Sequence, residues 1–218
     1  MTSSIPSTEE NSSRSRVSFL ARLIPVMSYI IPAIGAALTT FLIIRAMQAV
    51  SVAGSSGLSA VAGGISEASL PVLIALYIAI ICGVAGIIFA AVRLKMPTKT
   101  VSPPPWFILI SGVLCLVPVA LLWEAESVLI EAIIAPSSRG IAQAAYTIRL
   151  LLIMTPIAAS ISVLLSLTGA VWPVSSRSRP KWGPVVALVI IELALVFAAF
   201  AFQDRISWLH QVAVAGTL

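Results

Sequence analysis

The sequence predicts an all-α, polytopic integral membrane protein with about five transmembrane helices. Three observations carry that expectation. Hydrophobic residues make up 59% of the 218-residue chain and charged residues only 10%, with a mean hydropathy of +1.08; a soluble domain of that composition could not cover itself with polar side chains. The charges divide the chain into long apolar runs, each at least as long as the roughly 20 residues a helix needs to cross a hydrocarbon core of about 30 Å. The runs are continuous and not alternating, so they do not read as barrel strands, and an open sheet would leave its edges unsatisfied in lipid.

Residues 1–16 are Ser/Thr-rich and read as a flexible cytoplasmic tail. The first span lies between Arg22 and Arg45; its uncharged run exceeds a signal-peptide core, so the helix is expected to be retained. Glu67 and Arg93 bracket the second span. Lys99 and Glu124 bracket the third; Pro103, Pro104 and Pro105 shorten its start and make Trp106 its first interfacial residue. The fourth runs up to Arg177, starting near Ala142 and carrying Arg149 about two turns in. The fifth lies between Lys181 and Asp204 and is interrupted by a single acid, Glu192. The organisation expected is therefore a tail (1–16), a first hairpin (17–97), a second hairpin (98–175), and a fifth helix with an outer tail (176–218).

Nine cations (Arg14, Arg16, Arg22, Arg93, Lys95, Lys99, Arg177, Arg179, Lys181) fall on one side of this topology and four on the other. The positive-inside rule then places the N-terminus inside and the C-terminus outside. The net charge of +5 and the pI of 9.8 are accounted for as an orientation signal, and nucleic acid is not expected as a partner; membrane lipids are. One His, two Cys and eight acids are too few ligands for a bis-histidine haem, a Cys/His zinc site or an iron–sulfur cluster. No metal, no cofactor and no catalytic residues are expected, and the chain does not read as an enzyme. Cys82 and Cys115 lie inside apolar spans, where thiols ordinarily pack.

Laying residues 34–97 over residues 110–173 without gaps superimposes the first hairpin on the second. Gly64-Ile65-x-x-Ala68 falls on Gly140-Ile141-x-x-Ala144, Ser51-Val52 on Ser127-Val128, Ile34 on Ile110, Leu38 on Leu114 and Pro97 on Pro173. The register suggests two parallel hairpins, the second over residues 106–173, related by an axis along the membrane normal.

Residues 32–48 (PAIGAALTTFLIIRAMQ) and 61–94 (VAGGISEASLPVLIALYIAIICGVAGIIFAAVRL) resemble a helix pair of the MotA/TolQ/ExbB proton-channel family. That pair has a Gly-x-x-Gly-Thr-Val-x-Gly helix, a short outer loop, and Gly-Ile-x-Glu-Ala-Leu leading into a small-residue helix. The resemblance implies that Gly35 and Thr39 or Thr40 match the pore-facing glycine and threonine, and that Gly64, Ile65, Glu67 and Ala68 match the Gly-Ile-x-Glu-Ala entry. It also implies a bacterial inner-membrane location and a homo- or hetero-oligomer, with a single-span ExbD/TolR-like subunit as partner. The chain departs from the family at Val72, where the family has a polar residue, and it lacks the family's first helix and long cytoplasmic segment.

Simpler readings stand beside these. Thr39 and Thr40 can bond carbonyls of their own helix, Glu67 can be a solvated helix-terminal acid, and Gly83 and Gly86 form a helix-packing face. Arg149 can snorkel or pair with Glu126 or Glu131. Glu192 has no such solvent explanation, because a carboxyl in mid-span must be protonated, paired or turned to a wet cavity; it is the candidate proton or helix-docking site. Three functions fit: a subunit of a proton-motive-force-driven motor or energy-transducing complex, a scaffold subunit of a larger membrane assembly, or a small transporter.

Overall fold

The computed structural model describes residues 8–53, 58–94, 105–134, 138–171 and 182–215. They form six helices: α1 (Thr8–Ala53), α2 (Leu58–Ala68), α3 (Leu70–Leu94), α4 (Pro105–Ile134), α5 (Ser138–Val171) and α6 (Gly183–Ala215). Five stretches are long and apolar enough to cross a membrane: Val26–Gln48, Val61–Val92, Ile108–Glu131, Ile148–Leu167 and Val185–Val214. The chain is a multi-pass integral membrane protein. Its outward faces carry the apolar side chains that such a protein presents to lipid, among them Ile81, Leu164, Leu193 and Phe197.

Each expected hairpin is a packed pair, α1 against α3 and α4 against α5. The pairs meet where α1 touches α5 and α4, and α6 closes the bundle against α3, α2 and α4. Small residues let the backbones approach. Gly35 of α1 abuts Ala75 and the Val72 backbone of α3, and Gly112 of α4 abuts Ile191 of α6, so a Cβ at either glycine would collide with its neighbour. In lipid, where apolar association has no water to escape, such packing is a main source of helix affinity.

The ends differ from expectation. Residues 8–16, expected as a flexible tail, are helical and continuous with the first span; Glu9 and Glu10 occupy the first turn, where acids favour a helix, and no Pro or Gly interrupts the run to Ile24. The fourth spanning helix starts at Ser138, ahead of Ala142. The fifth continues past Asp204 to Ala215, where an outer tail was expected. That extension buries Leu209 and brings Ala213 to 3.8 Å from the Cβ position of Gly63 on α2, so packing against α2 sustains the helix.

At two of the prolines within spans, Pro118 and Pro71, side chains of neighbouring helices bond nearby backbone groups. Pro118 cannot donate to the carbonyl of Leu114; Ser162 of α5 approaches that carbonyl at 2.6 Å. Pro71 likewise withholds a donor from the Glu67 carbonyl, and the spanning segment breaks at Ser69, between α2 and α3. The next amide, Val72 N–H, donates across to Thr39 Oγ1 of α1 at 3.1 Å. Broken helices persist at membrane depth only with such protein-supplied partners.

Thr39→Val should therefore cost about 1–3 kcal/mol, the penalty of an unsatisfied buried amide, whereas Thr39→Ser should cost much less. Thermal denaturation in detergent checks this; equal loss in both variants would show that the methyl group, and not the oxygen, is what matters.

The orientation expected from the cations has its own test. Ser55, Ser137 and Thr217 are expected outside, and Ser12, Thr98 and Ser176 inside; all but Ser12 lie outside the described residues. In a variant lacking Cys82 and Cys115, a membrane-impermeant thiol reagent on intact cells should label cysteines at the first three positions and spare the others. Labelling at Thr98 or Ser176 would overturn the N-in topology.

Candidate functional site: two buried carboxyls

Two carboxyls lie inside the bundle, Glu126 with no exposed surface and Glu192 at 8%. They occupy different levels. Glu192 lies in the first half of the stretch Val185–Val214, at the end of the bundle where α1 enters its span; Glu126 lies close to the end of the stretch Ile108–Glu131, in the opposite half.

Glu192 sits in the seam between α6 and α3, its carboxyl filling the space that a side chain at Gly83 would occupy. The two residues singled out separately in the sequence are thus one feature: the glycine admits the acid. Gly86, one turn along, is buried on the same helix. Tyr29 of α1 is within electrostatic reach of Glu192 and of Cys115 on α4. The Cys115 sulfur lies 3.4 Å from Ser166 Oγ and 4.0 Å from the Ser162 carbonyl, both on α5. Polar side chains of α1, α4 and α5 thus form a chain of neighbours that leads through Tyr29 to Glu192. Within it, Glu192 Oε1 is buried and has no hydrogen-bond partner among the described residues. Unsatisfied buried polar atoms cost stability, so one retained in a packed seam calls for an explanation. Cys115, expected only to pack, is a member of this cluster; nothing in its sequence context marks it, because its partner lies on another helix.

Glu126 is not among the residues that the sequence marks as a site. It is buried against the break between α2 and α3, where Ser69 Oγ lies 2.6 Å from its Oε1. Arg205 of α6 is close by, but its guanidinium stacks 3.3 Å over the Trp123 ring and donates from Nη1 to the Trp123 carbonyl at 2.9 Å. Trp123 in turn meets Phe202 edge to face at 5.3 Å. This aromatic and cationic plug closes the bundle beside the acid.

The residues aligned with the channel family occupy the α1–α3 contact. Gly35 is the close-approach point, Thr40 donates to the Ala36 carbonyl at 2.9 Å, and Thr39 caps Val72, all three buried. Glu67 is exposed near the end of α2, and Arg149 is exposed on α5. Among the described residues no group of three or more His, Cys, Asp or Glu is disposed to hold a metal ion.

Comparison of the chain with protein-family models, with curated protein sequences and with solved structures yields no match in any of the three.

Proposed function

We propose that the chain is a proton-handling integral membrane subunit, working in an energy-transducing complex of the kind the α1–α3 pair resembles, with Glu192 as the proton-carrying group. The observation that supports this most is the seating of Glu192: a carboxyl in an apolar seam, admitted by Gly83, with one oxygen buried and unpartnered and the Tyr29 hydroxyl within electrostatic reach. A carboxyl kept within a spanning helix with one oxygen unbonded fits protonation chemistry. The partner that the resemblance implies is a single-span subunit with an intramembrane aspartate.

A second reading has its own observation. Gly35, Thr39 and Thr40 all serve helix packing within one chain, which is what a scaffold that keeps the helix pair for assembly alone would show. Imaging the complex purified from native membranes separates the two. Several copies of the chain around one or two single helices support the motor reading; one copy at the margin of a larger assembly, with no single-span partner, supports the scaffold.

A further inference from the structure

The hydrogen bonds at Ser69 raise a counting problem. Ser69 Oγ lies 2.8 Å from the Ile65 carbonyl and 2.6 Å from Glu126 Oε1, yet a hydroxyl has one hydrogen. The carbonyl can only accept. If Glu126 is ionised, one hydrogen must serve two acceptors, and Oε2, buried without a partner, is a charged oxygen with no donor at all. Such an arrangement carries the full desolvation cost of a buried charge. If Glu126 holds a proton, each hydrogen is used once: Glu126 donates to Ser69, Ser69 donates to Ile65, and Oε2 is the carbonyl oxygen of a neutral acid.

The charged groups around it do not change this count. Arg205 on α6 is the cation that reaches Glu126 electrostatically; it stacks on Trp123 and gives one N–H to the Trp123 carbonyl, and Glu126 Oε2 receives no hydrogen bond from it. Arg45 on α1, Glu67 on α2, Arg149 on α5, Asp204 on α6, and Glu124 and Glu131 on α4 itself are all exposed. From the break between α2 and α3 the group that faces the acid is the Ser69 hydroxyl.

We propose that Glu126 is a second proton-binding site of the membrane interior, in which the neutral carboxyl donates to Ser69 and thereby ties α4 to the break between α2 and α3. The site stands on the geometry at Ser69 and does not depend on the role of Glu192. Loss of the proton leaves the single Ser69 hydrogen to choose between holding α4 and closing its own turn. Backbone bonds from Ser69 N–H to the Ile65 carbonyl at 3.0 Å and from Leu73 N–H to the Ser69 carbonyl at 3.4 Å still cross the junction, but Pro71 has no amide hydrogen to add and Val72 N–H is turned to Thr39. Proton occupancy at Glu126 thus sets the junction of α2 with α3.

Infrared spectroscopy of the full chain in lipid bilayers at neutral pH tests this through the carbonyl stretch of a protonated carboxyl. The Glu126 component of the band should be present in the wild type, missing from Glu126→Gln, where any Glu192 component stays, retained in Glu192→Gln, and displaced in Ser69→Ala, where the carboxyl loses its hydrogen-bond partner. Gln can donate to Ser69 as the neutral acid does, so Glu126→Gln should fold. Equal protonated-carboxyl absorbance in wild type and Glu126→Gln would overturn the proposal, as would bleaching of the Glu126 band by sodium at fixed pH, which would make the site one for a metal cation. A band unmoved by Ser69→Ala would remove Ser69 as the acceptor.

Discussion

Gly83→Leu is expected to destabilise the bundle by driving the Glu192 carboxyl out of the α3–α6 seam. Even a single Cβ at this position would overlap the Glu192 carboxyl, and a leucine would force α6 away from α3 or push the acid out of the seam. Overpacking of a tight interface typically costs about 1–3 kcal/mol and sometimes more, and in lipid the lost close approach adds to it. The smaller change Gly83→Ala isolates the cause. It should destabilise the wild type but do little in a Glu192→Ala background, where the obstructing carboxyl is gone. A double-mutant cycle by thermal denaturation in detergent should give a coupling on the order of 1–3 kcal/mol. Additive effects would show that Gly83 is needed for the backbone of α3 and not for the acid.

Glu192 gives the second large effect, and stability and activity should part company. Glu192→Leu removes a carboxyl from the first half of a spanning helix, where its charged form is costly to insert, though less so than at the centre. Its Oε1 has no hydrogen-bond partner to lose, so the variant should melt no lower than the wild type. Glu192→Gln keeps the shape of the neutral acid and should assemble normally. Both should abolish proton-dependent activity. Failure of assembly in Leu alone would instead make the carboxyl a docking bond for a neighbouring helix.

How far the chain can be read without coordinates follows from which signals are local. The five spans are legible because their apolar runs are continuous and charge-bounded. Glu192 is legible because it is the lone acid within such a run, and Gly83 because small residues mark close packing; that the two meet is a tertiary fact with no local trace. Glu126 hides between Glu124 and Glu131, two acids near the same end of the third span. Helical phase distinguishes it: Glu124 and Glu131 are two turns apart on an exposed face, whereas Glu126 shares the buried stripe of Leu122 and Leu129. The break at Ser69 is obscured for a different reason. Pro71 signals an interrupted helix, but the stability of the break depends on Thr39 from another segment, so the second span reads as a single element. Thr39 itself matches a pore hydroxyl in the family resemblance, and in the fold it satisfies a backbone amide.

The central claim, that Glu192 carries protons within an assembled membrane subunit, is tested most directly by proton flux. The complex purified from native membranes, with whatever subunits it retains, is reconstituted into liposomes, and internal pH is followed after a membrane voltage is imposed. The wild type is predicted to move protons and an equally assembled Glu192→Gln complex to be silent; flux in Glu192→Gln equal to that of the wild type would contradict the account.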